Sequence, residues 1–239
     1  FIRSVRYILY CMEFSFQIGD QNYEVPAIID IAAFERAMAW DITDIQNHKP
    51  FVASITACPI HVLNRLDNIT FEVVLAICMS RLPIEEGEVN FTLGVYPIKK
   101  FEDFTFGDFI DLDILIADGL TKHVIEIVSK LYGMPEEHAA TIDINKVWST
   151  LIALTKWREA QYREYDEFFN LSQSVEQDGP EMTINNLQLM WYEAVLVLAD
   201  SHFLNIQHVV ERPYKEALNY LTWKKNQVAQ QQLANVKKK

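Results

Sequence analysis

Residues 145–169 read NKVWSTLIALTKWREAQYREYDEFF, and this stretch decides the fold class. Its large apolar side chains recur every three or four residues, which is the period of one face of an α-helix. They are Val147, Trp148, Leu151, Leu154 and Trp157. The last turns carry mostly charged side chains, as a solvated helix face does. We therefore predict one helix from about residue 145 to residue 169, the longest in the chain.

The segments on both sides of this stretch show the same helical period. Only seven glycines occur in the chain, so few sharp turns are available and a β-sandwich or barrel is disfavoured. The last predicted helix ends in a Gln-, Asn- and Ala-rich stretch that has little apolar surface to bury. Predicted helices cover residues 105–119, 121–133, 187–199, and the segment from residue 213 past residue 223.

The β-structure is predicted near the N-terminus. Residues 13–18 alternate apolar and polar side chains, residues 19–22 read GDQN, and residues 23–25 resume the alternation before Pro26. This pattern predicts a β-hairpin with a four-residue turn. Residues 88–96 also alternate, between Gly87 and Pro97, and predict a third strand. The predicted fold class is mainly α, a helical domain with a small N-terminal β-hairpin or short sheet.

Helices are also predicted between these strands. One begins at Ile31, and a second begins at Phe51, after a helix-breaking segment that ends at Pro50. Pro59 opens a third helix, because proline is favoured at the start of a helix. Asn68 is the expected N-cap of a fourth helix.

The domain organisation is expected to follow the order of the chain. Residues 171–183 are polar and contain Gly179-Pro180, which predicts a linker. We expect an α+β region at residues 12–100, a helical region at 101–170, and a C-terminal helical region with a basic tail at 184–239. Residues 1–11 suggest a weak signal peptide or an N-terminal extension before Met12. Met12 opens directly onto the first strand pattern, which favours the extension.

The charge is uneven along the chain. The formal net charge is −12, and an acidic surface repels phosphate, which disfavours nucleic-acid binding. From Arg212 to the end, however, seven Lys and Arg stand against one acid, a local charge of +6. Such a tail is either solvated or docks on an acidic partner or on nucleic acid. No apolar run approaches the roughly 18 residues that a membrane helix needs, so no membrane partner is expected.

The sequence contains few features of an enzyme. Nucleophile-elbow, phosphate-loop and dinucleotide motifs are lacking, and the three cysteines form neither a zinc nor a disulfide pattern. Asp108 and Asp111 share a helix face, so they are candidates for a divalent ion or a carboxylate-dependent hydrolase. Thr105 with Asp108 equally suits a capping box. We expect no catalysis, no cofactor and no metal, with the hydrolase as an alternative.

The chain is rich in aromatic residues. Five Trp, ten Tyr and fourteen Phe exceed what many cytoplasmic enzymes carry, and most are expected to fill the core. Those that border charged segments are candidates for binding a partner. With the lysines of the tail, the predicted partner-binding residues are Trp157, Tyr162, Tyr165, Trp223, Lys224, Lys225, Lys237, Lys238 and Lys239.

The order of several segments resembles a known group of proteins. These are TFGDFIDLD at residues 105–113, LYGMPEE at 131–137, and a C-terminal pattern of Trp191, Leu198-Ala199-Asp200, Phe203, Pro213, Leu218, Leu221 and a lysine-rich end. Following a small hairpin and a helical region, they resemble the tail assembly chaperones of tailed bacteriophages and virion-associated head–tail, neck and tail proteins. The chain is longer than many such chaperones.

The resemblance implies a non-enzymatic bacteriophage morphogenesis protein that acts through protein–protein contacts. It would be a tail assembly chaperone in the host cytoplasm, or a structural protein of the virion. Its partners would be other phage structural proteins or further copies of the chain. An alternative is a virion protein that contacts nucleic acid, and only through the basic C-terminal tail.

Overall fold

The computed structural model describes residues 14–83, 88–169 and 183–236, with side chains described as far as residue 231. Its strands are β1 Phe14–Ile18, β2 Gln21–Val25, β3 Thr92–Leu93 and β4 Tyr96–Pro97. Its α-helices are α1 Ile31–Met38, α2 His48–Thr56, α3 Ile60–Leu63, α4 Asn68–Ser80, α5 Phe106–Gly119, α6 Val124–Tyr132, α7 Glu136–Ala140, α8 Ile144–Glu164, α9 Asp166–Phe169, α10 Ile184–Leu198, α11 Ile206–Val210 and α12 Tyr214–Val236. Short 3₁₀ helices cover Ile45–Asn47, Phe101–Asp103, Leu120–Lys122 and Phe203–Asn205. The mainly α fold with a small N-terminal hairpin is confirmed.

The hairpin of β1 and β2 is antiparallel, with Phe14 opposite Val25 and Ile18 opposite Gln21. Its turn is only two residues long, Gly19-Asp20, so the predicted four-residue turn is wrong. Gly19 has a φ of +61°, a left-handed conformation that glycine adopts without steric cost. Two-residue turns of this kind match the right-handed twist of the flanking strands.

The predicted third strand at residues 88–96 is wrong in extent. Only β3 and β4 pair there, two residues each, because the chain turns back at Gly94, whose φ is +63°. Leu93 is buried, but Phe91 and Val95 are 73% and 86% exposed. Alternating apolar residues form a long strand only where a neighbouring strand pairs along them, and the described residues supply no such strand.

Side-chain caps set several helix starts. The Asp30 carboxylate accepts a 2.6 Å hydrogen bond from the Ala33 amide at the start of α1. In α4 the cap is Asp67, which accepts from the Thr70 amide, so the prediction of Asn68 as cap is wrong by one residue. Pro50 lies inside the first turn of α2 rather than before it. A proline is tolerated there because the amides of a first turn have no partner within the helix.

The chain divides into two compact units, each made of two separate stretches. The first unit takes Phe1–Ile98 and Gly119–Ile152, and the second takes Lys99–Asp118 and Ala153–Lys239. The predicted regions, by contrast, are consecutive along the chain. Helix α8 contributes its first part to the first unit and the rest to the second. Of the predicted linker at residues 171–183, all but Thr183 lies outside the described residues, as do residues 1–11.

The first unit has an aliphatic core with buried Phe34 and Phe51. Asp30 and Asp143 form an isolated antiparallel bridge, in which the Ile31 amide donates to the Ile142 carbonyl at 2.9 Å. Cys58 and Cys78 have free thiols and are buried in the first unit. Burial raises the pKa of the Cys78 thiol to about 12. The reactive thiolate is therefore disfavoured.

The predicted helix at residues 145–169 is broken once. Helix α8 ends at Glu164, Tyr165 interrupts the helix, and α9 follows. The break brings the rings of Phe168 and Phe169 within 5.9 and 5.7 Å of the Trp191 ring. Helix α12, with 23 residues, is longer than α8 with 21, so the prediction of the longest helix is also corrected.

Candidate interaction surface

An aromatic core holds the second unit together. The ring of Phe109 on α5 lies 5.6 Å from the rings of Trp157 and Trp191, and stacks on Tyr214 at 5.3 Å. Tyr214 begins α12 and is fully buried, and its hydroxyl donates to the Gln161 side chain at 3.1 Å. Such ring pairs add stability beyond the area that they bury. The core therefore fixes the first turns of α12.

Backbone hydrogen bonds join the starts of α5 and α12. The Phe106 amide donates to the Arg212 carbonyl at 2.7 Å, and the Tyr214 amide donates to the Phe104 carbonyl at 3.2 Å. Gly107 lies against Val210, where an added Cβ would come within 3.3 Å of the Val210 Cβ and carbonyl oxygen. These contacts place α11 and the first half of α12 firmly on the second unit.

One buried carboxylate lies within this core. Asp113 on α5 is 2% exposed and accepts a 2.7 Å hydrogen bond from the indole nitrogen of Trp191. The Tyr162 hydroxyl lies 3.0 Å from both carboxylate oxygens, and Arg158 Nε lies 2.5 Å from Oδ1. Burial by itself would lower the pKa of Arg158, but the charge of Asp113 outweighs it and raises the pKa, so Arg158 stays protonated. This network ties α5, α8 and α10 together.

Three of the predicted partner-binding residues contact this core. The Trp157 ring packs among Phe101, Phe104, Phe109 and Tyr214. Tyr162 belongs to the Asp113 network, and Tyr165 is only 5% exposed. Trp157 and Tyr162 are half-buried and Tyr165 is buried, so all three take part in the packing of the second unit, and their part in binding a partner stays a prediction.

Trp223 and Lys224, by contrast, lie at the surface. Trp223 is 51% exposed and contacts the ring of Tyr220, one turn earlier on α12, at 5.5 Å. Lys224 lies over the Tyr220 ring at 5.9 Å, and its ammonium reaches the Val197 carbonyl at the end of α10 at 3.5 Å. Both predicted residues therefore belong to one exposed set of side chains that joins α10 to α12.

Two further apolar side chains extend this set. Phe203 and Leu204 are 81% and 84% exposed on the 3₁₀ helix that follows α10. Sequence reasoning did not single out Leu204, and it included Phe203 only within the resemblance. We call Val197, Phe203, Leu204, Tyr220 and Trp223 the apolar surface of the second unit. Exposed groups of large apolar side chains mark interaction sites more often than chance.

The turn that presents Phe203 and Leu204 is strained. Asp200 and Ser201 both have positive φ, +51° and +60°, which non-glycine residues rarely adopt. Hydrogen bonds hold them there, from the Ser201 amide to the Leu196 carbonyl and from the His202 amide to the Ala199 carbonyl, at 2.9 and 2.8 Å. Strain of this kind concentrates at functional sites.

A groove of about 380 Å³ lies beside Tyr220 of the apolar surface. Tyr220 lines one part, and Asn205, the neighbour of Leu204, lines another. Its apolar residues come from the end of α10, from α11 and from α12. Arg212 adds a positively charged guanidinium group and His208 adds an imidazole ring. The lining residues are Leu198, Asn205, His208, Val209, Arg212, Glu216, Ala217 and Tyr220.

The remaining predicted lysines divide into two groups. Lys225 donates to the Phe168 carbonyl at 2.9 Å, and burial lowers the pKa of its ammonium group. Lys225 therefore makes its hydrogen bond within the second unit. Lys237, Lys238 and Lys239 lie outside the described residues, so their part in binding stays a prediction.

One member of the predicted carboxylate pair, Asp108, serves as a helix cap. The Asp108 carboxylate accepts from the Thr105 amide and hydroxyl at 2.8 Å, and the Asp108 amide donates to the Thr105 hydroxyl at 3.1 Å, which forms the predicted capping box. Lys99 adds a 2.5 Å ion pair to the same carboxylate. Within the described residues, no group of three or more His, Cys, Asp or Glu is arranged to hold a metal ion.

The capping box predicts a pH dependence of stability. Burial favours the neutral form of Asp108, but hydrogen bonds from Lys99 and Thr105 hold its pKa below the usual value. A depressed pKa stabilises the folded state above the unfolded pKa, and this stabilisation is lost as pH falls through the folded pKa. Between about pH 5 and about pH 2, wild type should therefore lose more stability than Asp108→Asn. Urea unfolding at a series of pH values measures this, and parallel curves would contradict it.

Comparison of the chain with protein-family models, with curated proteins and with solved structures gives no match. None of the described helices combines the length and the apolar character needed to span a membrane.

Proposed function

We propose that this chain is a non-enzymatic binding protein whose second unit docks on another protein during the assembly of a larger particle. The observation that carries the proposal is the apolar surface, where Phe203 and Leu204 are more than four-fifths exposed and Trp223 is half exposed. Burying apolar area is the main source of favourable free energy in most protein association. A partner would remove these side chains from water.

The residue types at this surface suit a binding hot spot. Trp, Tyr and Arg dominate the energetics of protein interfaces, and Trp223, Tyr220 and Arg212 all lie at the surface or in its groove. The backbone beneath them is fixed by the aromatic core and by the bonds between α5 and α12. A rigid surface loses little conformational entropy on docking, which favours affinity.

The setting that we propose comes from the sequence resemblance to proteins of tailed bacteriophages. In that setting the chain would be a tail assembly chaperone or a structural component of the virion, and the partner would be another phage structural protein. The proposed contact with nucleic acid rests on the lysine count of the tail alone, so we rank it below protein binding.

A site-specific photo-crosslinker tests the docking. The probe is an aromatic photo-crosslinking amino acid, benzoylphenylalanine, which keeps a large apolar ring at the position that it occupies. It would replace Trp223 in the full chain, expressed in the cells that make the protein. A control variant would carry it in place of Ile69. Ile69 is 80% exposed on α4 of the first unit, so it has a comparable apolar exposure at an unrelated place. We expect the probe at position 223 to link one or a few defined proteins. Identical products from both positions, or none from position 223, would refute the proposed function.

Mass spectrometry of the crosslinked partner and of purified particles tests the setting. A tail or head–tail protein as partner supports phage morphogenesis, whereas a cellular partner without any particle contradicts it. A fixed ratio of the chain to the main coat protein in mature particles would identify a structural component. Presence in lysate but absence from particles would identify an assembly chaperone.

A further inference from the structure

We propose that the segment docking on the apolar surface is an acidic amphipathic α-helix, with an apolar stripe flanked by Asp and Glu. This inference rests on the proposed function and specifies the chemistry of the partner. Three observations support it: the lining and volume of the groove, the charge around the groove, and the exposed second half of α12.

The groove suits the apolar stripe of a helix. Leu198, Val209 and Ala217 contribute apolar walls, and Tyr220 borders the groove on the side of Trp223. Its volume of about 380 Å³ holds only a few side chains and lies near the low end for binding pockets. A helix laid into such a groove inserts the residues at positions i, i+3, i+4 and i+7.

The charge around the apolar surface favours acidic flanks. Arg212 lines the groove and Lys224 lies over the Tyr220 ring, both within reach of side chains that flank a docked apolar stripe. One acid, Glu216, lines the same groove. On the rest of α12 the described residues carry no acid to oppose this positive charge: Lys224 and Lys225 are followed by uncharged residues as far as Val236. Complementary charge steers a partner and fixes its register.

The far half of α12 offers a length along which a helix can lie. The side chains of residues 226–231 are all exposed, although the backbone stays helical as far as Val236. Most helices in proteins are stabilised by packing an apolar face rather than by intrinsic propensity. Val228, 47% exposed, continues the apolar side chains beyond Trp223. A partner helix that runs from the groove along α12 would supply the missing packing.

Two designed peptides test this chemistry on the full chain. Both are fluorescent helical peptides of about three heptads with Leu at the stripe positions; one has Glu at the flanking positions and the other has Lys. Fluorescence anisotropy should show that the Glu peptide binds at least about tenfold more tightly, because like charges across an interface are costly. Leu204→Ser and Trp223→Ala should each weaken binding of the Glu peptide by about thirtyfold, the loss typical of a hot spot.

Charge reversal separates charge from apolar contact. Arg212→Glu combined with Lys224→Glu should weaken the Glu peptide and strengthen the Lys peptide. Ile69→Ser and Arg36→Glu are matched controls on exposed positions of the first unit, and should change neither affinity. Circular dichroism verifies that each variant is folded.

Three outcomes would overturn the proposal. Equal binding of both peptides would show that charge does not select the partner. A dimer in sedimentation that Leu204→Ser dissociates would make a second copy the occupant, and displacement of the Glu peptide by duplex DNA would make nucleic acid the ligand. If neither peptide binds but the crosslinks at position 223 persist, the proposed partner chemistry is wrong and the proposed docking function is retained. If the peptides do not bind and no crosslinks form, the proposed docking function is wrong as well.

Discussion

Asp113→Ala is expected to lower the free energy of unfolding of the second unit by about 3–5 kcal/mol, the usual cost of breaking a buried ion pair from one side. The substitution leaves Arg158 with an uncompensated charge, since the side chain of Arg158 is only 20% exposed. It also removes the acceptor of the Trp191 indole and the Tyr162 hydroxyl. Urea unfolding followed by tryptophan fluorescence measures the loss.

Two comparisons make this prediction specific. Glu193→Ala removes an exposed carboxylate from α10 of the same unit and should cost no more than about 0.5 kcal/mol. Arg158→Met in the Asp113→Ala background should restore part of the stability, because it removes the charge that has lost its partner. Equal losses for Glu193→Ala and Asp113→Ala would show that the buried network does not stabilise the second unit.

The position of Asp113 was visible in the sequence, but its partners were not. Phe106, Phe109, Leu112 and Asp113 follow one another at helical spacing, so the carboxylate falls on the buried stripe of α5. A charged residue on such a stripe signals a buried polar contact, because an unpaired buried charge is very costly. Arg158, Tyr162 and Trp191, however, are between 45 and 78 residues away in the chain. Only the tertiary fold brings them together.

Some features set within one turn of the chain were predicted correctly. The pairing of the N-terminal hairpin and the capping box at Thr105 depend on neighbouring residues, although the length of the hairpin turn and the cap of α4 were each missed by one or two residues. Features that depend on distant contacts were predicted poorly. The strand predicted at residues 88–96 is reduced to two short paired segments, because no other described strand pairs along it. The helix predicted at residues 145–169 is interrupted at Tyr165, and the rings of Phe168 and Phe169 after the break pack on Trp191.

The same distinction between local and distant contacts applies to the residues of the candidate surface. A sequence identifies apolar and aromatic residues, but it does not show which of them another element covers. Trp157 and Trp223 both border charged residues in the sequence, yet only Trp223 stays exposed. Phe203 and Leu204 would normally be assigned to the core on their residue types, yet they are 81% and 84% exposed after the turn at Asp200 and Ser201.

Trp157→Ala and Trp223→Ala are expected to have opposite effects on stability and binding. The Trp157 ring contacts four other aromatic rings, so truncation should cost about 3–5 kcal/mol, as for other aromatic residues removed from a core. Trp223 contacts the ring of Tyr220 and is half exposed, so its truncation should cost about 1 kcal/mol or less. Urea unfolding of the two variants measures the difference.

Binding should show the reverse order. Trp223→Ala should remain folded and should no longer co-purify with the partner that the crosslinker identifies, nor bind the acidic peptide, because it removes an anchor from the apolar surface without disturbing the aromatic core. Trp157→Phe, which keeps an aromatic ring in the cluster, should retain most of the binding as long as the second unit is folded. A folded Trp157→Phe variant that fails to bind, with Trp223→Ala binding normally, would move the interaction site to Trp157, another of the partner-binding residues predicted from the sequence. The proposed role of the apolar surface would then be wrong.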